Sequence, residues 1–369
     1  MLAPLLRTAA AVMTTTGDTT ASVNRTISRQ SRPSEAGWPR VVALGGGTGL
    51  PVVLRGLADA FHASESSLTG SPTRTRLTAI VTVTDDGGSS GRLRRELGIP
   101  PPGDARNCLE ALAPEGSLLA AVLQHRFSGG EGLNGHSVGN LLLAALTEMT
   151  GSFPAAIERL AGLLNLRGSV LPSTVESVSL RAEFGDGATF EGETAIVSRR
   201  TRIKRLWLER PVRPLPEALR ALLNADIVVV GPGSLYTSVL PNLLVNGIAS
   251  TLSGVDAVRI YVANLMTEPG ETGGFTLEDH LDVIREHVGL ELFDCVLVNR
   301  CPVPAEAASR YALQGAVPVV RSSVGRRGDG APQIVECDLA WEATRGKIRH
   351  SPDCLARAIL EVARTTRRK

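Results

Sequence analysis

Residues 226–234 read Asp226-Ile227-Val228-Val229-Val230-Gly231-Pro232-Gly233-Ser234, an unbroken apolar run that ends in a glycine-rich loop. Continuous β-branched residues without alternation suit a strand covered on both faces, as in a parallel sheet flanked by helices. The same design occurs earlier, where Val41-Val42-Ala43-Leu44 runs into Gly45-Gly46-Gly47-Thr48-Gly49. Two such junctions point to an α/β protein that holds a phosphorylated ligand at the carboxyl ends of its strands. Glycine lets backbone N–H groups come close to an anion, and a following helix adds its partly positive N-terminus. A nucleotide or phosphosugar is the first ligand class to consider, although many strands turn into helices through glycines with no ligand at all. The first loop is neither a dinucleotide fingerprint nor a Walker loop. Starting G-x-G-x-x-G at Gly47 puts Val52 in the last position, and no Gly-Lys-Ser/Thr follows.

Outward from these loops the βα alternation continues. Pro51 to Ala60 reads as a helix with Val52, Val53, Leu57 and Ala60 on its apolar side, and Leu77 to Thr84 as a strand that stops at Asp85-Asp86-Gly87-Gly88. Between residues 170 and 212 the pattern changes. Val178, Leu180, Ala182 and Phe184 alternate with polar residues before Gly185-Asp186-Gly187, the signature of a half-exposed hairpin. With the extended segment from Arg202 to Glu209 this predicts a small β-rich insertion. The α/β pattern resumes with a helix over 216–223, strands near Val258–Ala263 and Phe293–Asn299, and a last helix from Pro352. Residues 1–38, rich in Ser, Thr, Ala and Arg and carrying only Asp18 and Glu35 as acids, are expected to be disordered.

The 369 residues suffice for one large α/β domain with an appendage, and an aromatic content of only 4% suits buried parallel strands built from small and β-branched residues. A formal net charge of +2 gives no reason to expect nucleic acid or a membrane surface as partner; Arg199 to Arg205 and Arg367-Arg368-Lys369 read as solvated surface. Five cysteines (Cys108, Cys295, Cys301, Cys337, Cys354) without C-x-x-C spacing argue against a disulfide framework or structural zinc and for a reducing compartment. No apolar stretch approaches the roughly 18 residues of a membrane span. A soluble, cytoplasmic protein is the expectation.

Asp85 and Asp86, at a strand end, are the candidate magnesium ligands, since paired carboxylates offer hard oxygens and leave room for phosphate and water; the same residues also favour strand-to-turn junctions for their local hydrogen bonds. In Pro101-Pro102-Gly103-Asp104-Ala105-Arg106-Asn107, Asp104 reads as a helix N-cap, with Arg106 and Asn107 in the first turn, facing a ligand or tying down the loop. Gly135-His136-Ser137-Val138-Gly139-Asn140 opens another apolar helix, with His136 as a cap, a general acid or a phosphate donor. No Ser/His/Asp order or Cys/His pair supports a hydrolase nucleophile. The polar run Asn264 to Thr272, after a strand, belongs on the same carboxyl edge.

Taken together, GGGTGL at Gly45, TDDGGSSGRLR at Thr84, PPGDARNCL at Pro101, GHSVGN at Gly135, NADIVVVGPGSLYTSVLPNLL at Asn224 and NLMTEPGET at Asn264 resemble the YvcK/CofD-like family, also called the gluconeogenesis factor family. The resemblance implies a Rossmann-like three-layer α/β domain over residues 39–369, and a homodimer. It has two branches. The CofD branch is a magnesium-dependent 2-phospho-L-lactate transferase acting on a deazaflavin acceptor. The YvcK branch resembles a UDP-sugar-binding regulator, of UDP-N-acetylglucosamine type, needed for growth on gluconeogenic carbon and for cell shape and peptidoglycan homeostasis. The segment after Asp85-Asp86 lacks the Pro-Asp-x-Asp-Thr run of the transferases and looks like the YvcK branch, for which no cofactor is required. By the same resemblance, Gly46, Gly47, Thr48 and Gly49 would cradle a diphosphate, with Gly233 and Ser234 opposite. Asn107, His136, Asn140 and Asn264 would border the pocket, and Tyr311 and Arg349 would contact the UDP-sugar. The downstream cell-wall partner is not named by the sequence.

Overall fold

The computed structural model describes residues 38–65, 76–322, 330–343 and 347–366. The expectation of disorder for residues 1–38 therefore lies outside the described residues except at Trp38, which packs on Phe61 with ring centroids 5.1 Å apart. The basic terminus at 367–369 also lies outside them.

In chain order, β1 (Val41–Gly45), α1 (Leu50–Glu65) and β2 (Leu77–Val81) form the first βαβ unit. Five helices follow: α2 (Gly88–Leu97), α3 (Gly103–Leu112), α4 (Leu118–Gln124), α5 (Val138–Thr150) and α6 (Phe153–Leu164). Next come β3 (Ser169–Pro172), β4 (Leu180–Phe184), β5 (Thr189–Glu191), α7 (Glu193–Ser198) and β6 (Ile203–Leu208). After α8 (Pro216–Leu223) and β7 (Ile227–Val230), a π-helical turn (Leu235–Val239) leads into α9 (Leu240–Leu243) and α10 (Ile248–Gly254). The rest is β8 (Val258–Val262), α11 (Leu277–Val288), β9 (Cys295–Asn299), α12 (Ala305–Ala312), β10 (Gln333–Cys337), β11 (Ala340–Ala343), β12 (Lys347–His350) and α13 (Pro352–Thr366).

The central sheet has seven strands in the order β10-β9-β8-β7-β1-β2-β3, and every pairing in it is parallel. The sequence order reverses between β1 and β7, which opens a crevice at the carboxyl ends of these two strands. Strand periodicity divides the core into two layers. Val41, Ala43, Ile227 and Val229 face one cluster, while Val42, Leu44, Val228 and Val230 face the other. On the first side, α1 buries Leu50, Val53, Leu54, Leu57, Ala58 and Phe61, spaced three and four apart along one stripe. Each such Leu or Phe contributes roughly 1.5–3 kcal/mol of burial. On the second side, α8 to α11 share a core with the three-stranded antiparallel sheet β5-β4-β6. The fold is thus a three-layer α/β arrangement carrying a small antiparallel sheet.

The hairpin turn lies where the alternation places it, with Arg181 to Glu183 paired to Thr189 to Glu191. Residues 170–172, however, form part of the edge strand β3 of the central sheet rather than of the small sheet. Neither edge strand stands out in the sequence, because β3 and β10 are short and partly exposed and lack a continuous apolar run. The N-cap reading of Asp104 is corrected. The cap position of α3 is Pro102, and Asp104 sits in the first turn with its carboxylate bonded elsewhere. Among the described residues no helix is long and apolar enough to cross a membrane.

Candidate functional site

A cleft of about 320 Å³ opens at the carboxyl edge of β1, β7 and β8. Five segments of the chain wall it: Gly47 to Gly49 after β1, Pro232 to Ser234 after β7, Asn264 to Pro269 after β8, α12 with Tyr311, and β12 with Arg349. Two glycines permit this assembly. Gly47 adopts φ +60°, a left-handed conformation strained for other residues. Gly49 lets the two loops touch, since a Cβ there would stand 2.6 Å from the carbonyl carbon of Pro232 and 3.1 Å from the nitrogen of Gly233. The Gly231–Pro232 bond is cis.

Much of the hydrogen-bonding capacity of these loops is used internally. The Gly233 N–H donates to Asn264 Oδ1 at 3.0 Å, and Asn264 Nδ2 reaches Glu268 Oε1 at 3.4 Å. The Ser234 hydroxyl donates to Glu268 Oε2. Behind them, the Tyr236 N–H and the Thr237 hydroxyl donate to Glu271, each at 3.4 Å, so a buried carboxylate already occupies the amino end of the π-helical turn. Burial pushes both carboxyls up, and for Glu271 repulsion from Glu268 adds to it. On the far wall the Tyr311 hydroxyl accepts the Ile348 N–H at 3.1 Å and ties β12 to α12.

A second group of polar residues lies behind the first loop. The Gly47 N–H donates to Asp104 Oδ1 at 2.9 Å, and Asn107 Nδ2 donates to the Gly47 carbonyl at 3.2 Å, so α3 holds both polar atoms of that residue. Burial, followed by the nearby Asp85 carboxylate, raises the Asp104 pKa to about 7. Glu193, at the start of α7, is pushed well above its ordinary value by burial and then by Asp85, Asp104, Glu271 and Asp86. Asp86 accepts the Thr194 N–H and hydroxyl at 2.9 and 2.8 Å, and Asp85 accepts the Gly87 N–H at 2.9 Å. Among the described residues no three carboxylate, imidazole or thiolate groups are placed to hold a metal ion. Asn140 Nδ2 donates to Ser89 Oγ at 3.0 Å, and the same hydroxyl is hydrogen-bonded to His136 Nδ1 at 2.9 Å. Burial, followed by Arg92, lowers the His136 pKa. The helix cap is Ser137, whose hydroxyl accepts the Asn140 N–H.

The structure thus brings Gly47, Thr48, Gly49, Gly233, Ser234, Asn264, Tyr311 and Arg349 to one cleft. Gly46, Asp85, Asp86, Asn107, His136 and Asn140 do not line it. Gly46 packs on the second group instead, where a Cβ would stand 2.8 Å from Thr82 Cγ2. Sequence reasoning missed Glu268, Ser238 and Lys347 on the cleft wall. Glu268 lay inside a quoted motif and was legible as a polar residue after a strand; Lys347 carried no local signal.

Residues 41–335 match the family model described as 2-phospho-L-lactate transferase CofD. The gluconeogenesis factor of Halalkalibacterium halodurans is 45% identical over 322 residues, 87% of this chain and 95% of that protein. The gluconeogenesis factor of Bacillus subtilis is 46% identical over 282 residues, 76% of this chain and 85% of that protein. A crystal structure of a UPF0052-family protein from Bacillus halodurans is similar with a TM-score of 0.79 at 43% identity, covering 88% of this chain and 100% of that one. With the fold, the loop order and near full-length similarity in agreement, the chain belongs to the CofD family and, within it, to the gluconeogenesis factor (YvcK) branch.

Proposed function

We propose that this protein is a cytoplasmic UDP-sugar-binding regulator, of UDP-N-acetylglucosamine type, acting in growth on gluconeogenic carbon and in cell shape and peptidoglycan homeostasis. One observation carries the reading: five segments of the chain converge on a cleft of about 320 Å³, large enough for a small ligand, while Asp85 and Asp86 lie off its wall. Gly loops, an amide, a phenol and an arginine are binding groups. Isothermal titration of the protein with UDP-N-acetylglucosamine tests this. Saturable binding without magnesium is expected, and its absence at millimolar ligand would sink the proposal.

A second reading, transferase activity on a nucleotidyl donor, draws on the mutual repulsion of Asp85, Asp104 and Glu193 beside Gly47, which a divalent cation would relieve. The residues fit a resident metal poorly, because Asp86 is committed to Thr194 and no set of three ligands is placed for an ion among the described residues. Guanine nucleotide binding that requires magnesium, with no UDP-sugar binding, would favour this reading.

A further inference from the structure

The diphosphate of a nucleotide sugar carries about two negative charges that a site lacking a metal must balance with its own groups. The glycine loops cannot supply all of this. The amides of Gly47, Gly233 and Tyr236 already bond to Asp104, Asn264 and Glu271, and Glu268 adds a carboxyl to the wall. The compensating charge stands on the opposite side. All four residues of β12 border the cleft, with Ile348 and His350 buried, Arg349 half-buried and Lys347 exposed at its edge. Alternation in a strand puts residues two apart on the same face, so Lys347 and Arg349 point together while Ile348 anchors the strand. The strand itself is fixed at Ile348 by the Tyr311 hydroxyl. Among the described residues neither cation has a carboxylate or hydrogen-bond partner that would neutralise it.

We infer that Lys347 is a second phosphate-binding cation which, paired with Arg349, takes the place of a metal ion in neutralising the ligand diphosphate. This rests on the UDP-sugar reading above. Tyr311 then acts as a positioning residue, holding the strand that carries both charges. A lysine is suited to the task, because its flexible stem can bring a point charge to a phosphate oxygen from the edge of the cleft.

The test is isothermal titration of the full chain, Lys347→Met and Lys347→Arg with UDP-N-acetylglucosamine, at low and moderate salt and with and without magnesium. The methionine variant is expected to bind about tenfold more weakly, to lose part of the salt dependence, and to regain affinity on adding magnesium, which should not help the wild type. The arginine variant should recover most of the lost affinity. A methionine variant that binds as tightly as the wild type, or an arginine variant as weak as methionine, would overturn the role of Lys347 while leaving the UDP-sugar reading intact. A wild type that binds only with magnesium would overturn the idea that protein cations replace the metal. No binding by the wild type under any condition removes the UDP-sugar reading and this inference together.

Discussion

Replacing Gly49 by alanine adds one methyl group at the contact between the two glycine loops. The new Cβ would lie 2.6 Å from the carbonyl carbon of Pro232 and closer still to its oxygen, where ordinary carbon contacts begin at ~3.5 Å. Both partners are backbone, so no side chain can rotate away. Either the β1 loop or the β7 loop must move by roughly 1 Å, and each is held, one by the pairing of β1 with β7 and the other by the Gly233 to Asn264 bond. Overpacking of this kind costs about 1–3 kcal/mol, and rigid neighbours place Gly49→Ala near the top of that range. Equilibrium urea unfolding followed by far-ultraviolet circular dichroism measures it. Gly162→Ala is the internal control, because Gly162 is an exposed glycine inside α6 with nothing within 4 Å of the added carbon. It should gain roughly 0.5–1 kcal/mol from helix propensity. If Gly49→Ala unfolds at the wild-type midpoint with the wild-type slope, the loops do not meet as described, and the cleft built on that meeting loses its floor.

Three further outcomes follow from particular contacts. Asp104 has a folded-state pKa of about 7 against an ordinary 3.8, so the native state holds its proton more tightly than the unfolded chain. Stability should therefore fall as pH rises from about 4 to about 7. The full gap corresponds to ~4 kcal/mol, and partial solvent contact of the side chain reduces it to roughly half. Asp104→Asn, which keeps an oxygen for the Gly47 N–H, should flatten that slope and gain on the wild type between pH 5 and pH 8 in parallel urea titrations; an unchanged slope would refute the assignment. Tyr311→Phe removes the acceptor for the Ile348 N–H and should cost about 0.5–1.5 kcal/mol, seen as faster amide exchange at Ile348; unaltered exchange would contradict the anchoring of β12. Ser137→Ala deletes the N-cap of α5 and should destabilise by about 1 kcal/mol in thermal unfolding, whereas His136→Ala should leave that cap intact.

The buried parallel strands were legible locally because their chemistry is local. Ile227 to Val230 and Val41 to Leu44 are apolar on both faces, and no other environment covers both sides of such a run. The hairpin of β4 and β5 was legible from alternation and a Gly-Asp-Gly turn for the same reason. The edge strands β3 and β10 were not, since an edge needs neither continuous burial nor a strong pattern.

For the site, the sequence by itself determined which loops stand at the carboxyl edge, because parallel strands send every βα loop to the same side. Tertiary structure alone decided how these loops divide. Gly47 and Gly49 belong to the cleft while Asn107 and Asp104 grip the Gly47 peptide from behind, because α3 packs beside the loop. It alone put Lys347 at the cleft, roughly 300 residues from the first glycine loop, by seating β12, paired with β11 and anchored by its buried Ile348, on the cleft wall. Such placements depend on contacts between distant segments, which no window of sequence contains.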